Sequence, residues 1–316
     1  VVLVLIRSAL YMAIPLVTLP RSVLHGADIL TSILFVALPI VALYAGANFK
    51  WNLPTAAGTT ILGFALQFFL AKAAEGAKNP FLGNSLFTFS QAGLLIWCLG
   101  LGALVASMIK DCNLLLPLSI FLALFDFWLV FCPEGVVGKI ARESGPTMLK
   151  SFGYRVPTVA PTLGGHIQPA AYVGPADFMF LAMFFVALYR FGMDTRRTFL
   201  AIVPVLVLYM LAVLLFGGIT IGPVSLAAMP ALLPIGIVVL VANWKSFKLS
   251  KDERLSTAVL TVAGIALVSW RMALHWHDLE QPAEPLNQGP DQVAPGPPDS
   301  PSSPSPDRSQ PLNPPV

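Results

Sequence analysis

Charge is what this 316-residue chain has least of. Only 11% of its residues are Asp, Glu, Lys or Arg, against 56% that are hydrophobic, and its mean hydropathy is +0.76. Soluble domains carry about 25% charged residues to keep their surfaces hydrated, so a water-soluble globular domain is excluded. Cysteine is scarce as well. Cys98, Cys112 and Cys132 show no Cys-x-x-Cys spacing and sit in or beside apolar runs, where small buried thiols are the ordinary reading, so they are assigned no redox role. The chain also lacks a His-Glu-x-x-His run for a catalytic zinc and a Gly-x-Ser-x-Gly elbow for a serine nucleophile. His275 and His277, two apart at the end of an apolar run, fall on different helix faces and read as interfacial. No metal or other cofactor is expected, and nucleic acid is not an expected partner.

Long apolar sequence is what the chain has instead. Nine stretches can be drawn, at 1–19, 27–47, 53–72, 86–109, 113–132, 170–190, 198–217, 225–243 and 256–275. Most are close to the ~20 residues that a helix rising 1.5 Å per residue needs to cross ~30 Å of hydrocarbon. Because the runs are unbroken rather than alternating, a membrane β-barrel is excluded. The expected fold is therefore all-α, a polytopic transmembrane bundle of about nine helices in a lipid bilayer. The first stretch is the weakest, interrupted by Arg7, Pro15 and Pro20, and reads as a tilted or interfacial segment; no small-x-small cleavage site follows it cleanly. Trp51, Trp244 and Trp276 end their runs as interfacial anchors. Lys and Arg fall in loops on both sides, which leaves orientation open.

Along the chain, 1–112 reads as N-terminal transmembrane helices and 113–243 as a core containing the connecting loop 133–169. An additional C-terminal helix follows at 244–277. Residues 278–316 hold twelve of the 28 prolines and read as a disordered or polyproline-like tail. No internal repeat links the two halves.

Of the sixteen acidic side chains, only Asp126 and Asp177 lie well inside long apolar runs. An ionised carboxylate in hydrocarbon costs roughly 3 kcal/mol, so an unpaired one is seldom incidental. Asp126 lies six residues before Cys132, and Asp177 seven after Ala170, at the two ends joined by the 133–169 loop. If both runs are helical to the loop, the carboxylates lie roughly 9 to 10 Å in from the same membrane face on consecutive antiparallel helices. Facing carboxyls share a proton, and an ionised and a protonated acid together form the machinery of an aspartic protease. Water must then reach the pair, through a polar cavity opening toward the loop. The plainer reading is a pair of helix-packing polar residues, and no Lys or Arg lies nearby in either run to neutralise them.

The sequence around the acids resembles a known family. Phe125-Asp126, the run Phe131-Cys132-Pro133-Glu134-Gly135, then Gly174-Pro175-Ala176-Asp177-Phe178, and Pro230-Ala231-Leu232 are similar, in order, to the YD, CPxG, GxGD and PAL motifs of presenilins and their microbial homologues. Signal peptide peptidases share three of these, whereas the Cys-Pro-x-Gly run looks more like the presenilin branch. The resemblance covers roughly residues 113–243. It implies a presenilin-like fold and an intramembrane aspartic protease that cuts transmembrane-helix substrates, with Asp126 and Asp177 as catalytic pair. Phe125, Gly174, Ala176, Pro230, Ala231 and Leu232 would lie beside the substrate. Pro230 and Pro234 also remove helix donors near one end of their run, leaving groups that an extended peptide can pair with, although a simple proline kink has the same signature. Phe125 stands where the family has tyrosine, and Ala176 where it has glycine before the second aspartate. Asp126 falls in the fifth run rather than the family's sixth, which a preceding span would explain, and one apolar run follows the PAL segment.

Two other functions use the same acids. One is a proton-coupled transporter or ion leak pathway in which the carboxyls bind and release protons. The other is an inactive family member serving as a scaffold. Accessory subunits, as in animal presenilins, and a self-sufficient enzyme are equally compatible with the sequence.

Overall fold

A computed structural model describes residues 2–14, 20–131, 153–159, 169–216, 220–221, 224–225 and 231–280. Among these are nine α-helices: α1 (Val2–Ala13), α2 (Arg21–Ala47), α3 (Leu53–Glu75), α4 (Pro80–Met108), α5 (Leu115–Phe131), α6 (Pro175–Arg190), α7 (Thr195–Phe216), α8 (Leu232–Asn243) and α9 (Lys251–Glu280). Strands β1 (Tyr154–Pro157) and β2 (Pro169–Val173) pair antiparallel, as do the two-residue strands β3 (Thr220–Ile221) and β4 (Val224–Ser225). Each apolar run of the sequence carries one helix. Six helices, α2, α3, α4, α5 with the turn before it, α7 and α9, are long and apolar enough to cross a membrane, which makes the chain a multi-pass integral membrane protein. The outward faces of α3 and α9 carry exposed Ile61, Phe69, Val262 and Trp270, side chains suited to hydrocarbon rather than water. The Pro-rich tail beyond Glu280 lies outside the described residues.

The near-full-length spans expected at 170–190 and 225–243 are shorter than that in the structure, and the helix of the weak first run is short as well. α1, α6 and α8 have 12, 16 and 12 residues, or roughly 18 to 24 Å against the ~30 Å of hydrocarbon. The run at 170–190 is helical only from Pro175. Gly174 is the N-cap and Pro175 opens the helix, where its missing N–H costs nothing. The residues before it form β2 instead. α6 tolerates its shortness because protein, not lipid, surrounds it: every side chain from Leu181 to Leu188 is buried, and α2, α4, α7 and α8 pack around it.

A strand pair within a helix bundle leaves backbone groups that no lipid can satisfy. Here the Gln91 side chain on α4 supplies them, its Oε1 accepting from Arg155 N–H at 3.0 Å and its amide donating to Gly153 C=O at 3.4 Å. Asp28 on α2 accepts from the Thr158 hydroxyl at 2.7 Å and from Val159 N–H at 2.6 Å. Part of the expected loop at 133–169 thus enters the bundle as a hairpin, with Tyr154 and Val156 fully buried.

Arg7 gives the interruption in the first run a role inside the bundle. Its side chain is buried, donating from Nε to Tyr154 Oη at 3.0 Å and from Nη1 to Thr88 C=O at 3.2 Å, and lying over the rings of Tyr11, Phe35 and Tyr154. The interruption in the run is therefore an internal clamp that ties α1 to α4 and β1.

Small residues set the helix spacing. A methyl group at Gly100 would meet Thr60 N at 2.6 Å, and one at Gly93 would meet Gln67 N at the same distance, so α3 and α4 lie backbone to backbone. A methyl at Gly102 would lie 2.6 Å from Met179 C=O and 2.8 Å from Met183 N on α6. Gly102→Ala should therefore destabilise the protein by about 1–3 kcal/mol and push α6 off α4. Gly26→Ala, where an added methyl meets nothing within 4 Å, should be neutral or slightly stabilising. Thermal melts of the two variants in detergent check this pair.

Candidate functional site

Both candidate acids stand at the N-terminus of a helix. Asp177 occupies the first turn of α6, with its N–H donating to Gly174 C=O at 3.2 Å. Asp126, five residues before the end of α5, accepts a hydrogen bond through Oδ2 from Leu232 N–H, the first of α8, at 2.9 Å. Ala231, the N-cap residue of α8, has no side-chain oxygen of its own to offer, so the carboxylate of another helix caps α8. Each helix terminus carries about half a positive charge, which favours a carboxylate there in otherwise apolar surroundings. Asp177 lies within electrostatic range of Asp126.

The route by which the acids meet differs from the sequence arithmetic. That arithmetic assumes unbroken helix from Ala170 and direct packing of the two acid-bearing helices. In the structure the depth of Asp177 is reached by the strand pair, with only two helical residues preceding it. α8 packs against both α5 and α6, which have little direct contact with each other, so the start of α8 joins the two sites.

Asp177 lines a small cavity of about 70 Å³. Its wall includes Val173, Phe178, Leu206, Tyr209, Ala231 and Ile235. The cavity expected to be polar from sequence is thus apolar-walled, although Asp177 and Tyr209 are among the residues that line it. Leu206, Tyr209 and Met210, three and four apart on α7, present one face of that helix to it. The strand pair reaches the same place: the Tyr154 and Phe178 rings meet edge to face with centroids 5.0 Å apart, and Cys98 Sγ donates to Pro175 C=O at 3.3 Å.

The structure therefore brings together Asp126, Asp177, Gly174, Ala231 and Leu232. Gly174 is close to the acid, since a methyl there would lie 3.3 Å from Asp177 Oδ2. Ala176 is exposed, so its methyl group stands away from the packed interior. Phe125 is turned elsewhere: it stacks between Phe121 and Trp128 and lines an apolar groove shared with Leu260, Gly264 and Leu267 of α9. Pro230 and the Cys132-Pro133-Glu134-Gly135 run lie outside the described residues. Among the described residues no group of three or more His, Cys, Asp or Glu side chains is placed to hold a metal ion. Sequence reasoning missed Tyr209, Asp28, Gln91 and Arg7. Only Asp28 and Arg7 carried a signal, as charges at or inside an apolar run. No protein-family model, curated protein or solved structure matches the chain.

Proposed function

We propose that the protein is an intramembrane aspartic protease that hydrolyses a peptide bond of a transmembrane-helix substrate, with Asp126 and Asp177 as its catalytic pair. The observation that carries this reading is the convergence of two carboxyl groups from separate helices on one helix start, each at a helix N-terminus, with a cavity lined by Asp177 and Ala231. The order of motifs around them, similar to that of presenilins, supports it. In the reaction the ionised carboxyl accepts a proton as water oxygen bonds to the amide carbon, and its protonated partner gives its proton to the carbonyl oxygen. The tetrahedral intermediate then collapses: the C–N bond breaks, the amine leaves with a proton, and a carboxylic acid remains. Ala231 and Leu232, beside the dyad, would hold the unwound substrate.

One feature favours a second reading. α8 is a half-length helix whose start faces an acid, an arrangement that ion-coupled transporters also use. One experiment separates the two. Purified protein in proteoliposomes is expected to cut a single-span substrate peptide within its apolar segment, seen as two products by mass spectrometry. Proton flux under a pH gradient without any cleavage would overturn the protease reading.

A further inference from the structure

Tyr209 is the polar group of this cavity that the two-acid chemistry leaves unused. Its hydroxyl is buried and has no hydrogen-bond partner among the described residues, although its ring lines the cavity with Asp177 and Ala231. A buried hydroxyl without a partner is costly, and native structures generally pair it or use it. The phenol also stands within electrostatic range of both Asp177 and Asp126. Of the neighbouring polar groups, Asp126 accepts from Leu232 N–H, and Tyr154 Oη accepts from Arg7 and donates to Phe35 C=O. Among the described residues the Tyr209 hydroxyl is uncommitted, so it can serve a ligand atom that enters beside Asp177. One acid delivers its proton to the carbonyl oxygen, and a second, fixed donor to that oxygen would stabilise the charge that develops before the transfer is complete.

We propose that Tyr209 is a third catalytic group, whose phenol O–H donates a hydrogen bond to the oxygen of the scissile carbonyl as the carbon becomes tetrahedral. The inference rests on the protease reading. No proton is transferred from the phenol; it accompanies the oxygen through addition and collapse.

Tyr209→Phe keeps the ring and removes only the oxygen. With a cleavable single-span peptide, kcat should fall about 10²–10³-fold, the range seen when one oxyanion donor is removed, with KM and thermal midpoint near wild type. Two peptide inhibitors give a readout that packing alone would not move. One is a difluoroketone that hydrates to a gem-diol, mimicking both oxygens of the intermediate; the other is the corresponding mono-alcohol. Wild type should prefer the diol, and Tyr209→Phe should lose about tenfold or more of that preference. Wild-type kcat in Tyr209→Phe, with Asp126→Asn and Asp177→Asn inactive, overturns the inference alone. A kcat loss with the diol preference intact also overturns it. Absence of cleavage by the wild-type protein overturns the inference together with the protease reading.

Discussion

Asp177→Asn is expected to leave a folded protein that no longer cleaves. Asparagine is nearly isosteric with aspartate and fits the first turn of α6 without disturbing Gly174 or the cavity wall. It can neither ionise nor pass on a proton, so in the proposed protease the carboxyl that shares the work of activating water and protonating the carbonyl is lost. General acid–base catalysis is worth about 10²–10⁴-fold, and loss of one member disables both halves of the cycle. Asp126→Asn should fall by the same order, and the double variant should be no slower than either single one, because groups that act as a unit are not additive. The substitution chosen at position 126 matters. Asp126→Ala also strips the acceptor from Leu232 N–H at the start of α8, and an orphaned donor there costs about 1–3 kcal/mol of stability. Asparagine keeps an acceptor oxygen, so a dead enzyme with an unchanged melt isolates the chemistry. Product formation by mass spectrometry, beside the melting temperature, is the measurement; cleavage by either Asn variant at near wild-type rate would remove the acids from the mechanism.

The helices were the part of this fold that could be read from composition. Lipid demands about twenty apolar residues and internally satisfied backbone, and all nine apolar runs carry a helix for that reason. Helix starts were less legible where an apolar strand leads into an apolar helix. Pro169-Ala-Ala-Tyr-Val continues the hydropathy of α6 without a break, yet Gly174-Pro175 carries the punctuation of a helix beginning, and that signal places the boundary where the structure has it. The acids were conspicuous because charge is rare in such a chain. How they meet was not, since it depends on α8 reaching between α5 and α6. Tyr209 was invisible for a simpler reason: a tyrosine in an apolar run is ordinary, and only the packing of α2, α6, α7 and α8 shows that its buried hydroxyl has no partner among the described residues.

Arg7→Ala should be among the most damaging changes outside the acid pair, although Arg7 lies in the first and weakest of the runs. Its side chain fills space between α1, α2, α4 and β1, stacks over three aromatic rings, and donates to Tyr154 Oη and Thr88 C=O. Truncation to alanine opens a cavity lined by those rings and leaves two acceptors short of a donor. Large-to-small changes at buried sites cost about 2–5 kcal/mol, which for a protein of this size corresponds to roughly 5–15 °C of melting temperature. A methionine restores volume and removes the buried charge together with its desolvation cost, so Arg7→Met should lose distinctly less. The Arg7 and Tyr154 changes should also be coupled by about 0.5–3 kcal/mol in a double-mutant cycle with Tyr154→Phe, because each removes the same hydrogen bond. The damage should reach the acid pair through the hairpin. Tyr154 packs edge to face on Phe178, the residue after Asp177, so loosening β1 loosens the start of α6. Hydrogen exchange of amides at 153–159 and 169–173 should rise in Arg7→Ala ahead of those in α3, which has no share in this contact. A uniform rise across all helices, or none, would show that Arg7 does not anchor the hairpin.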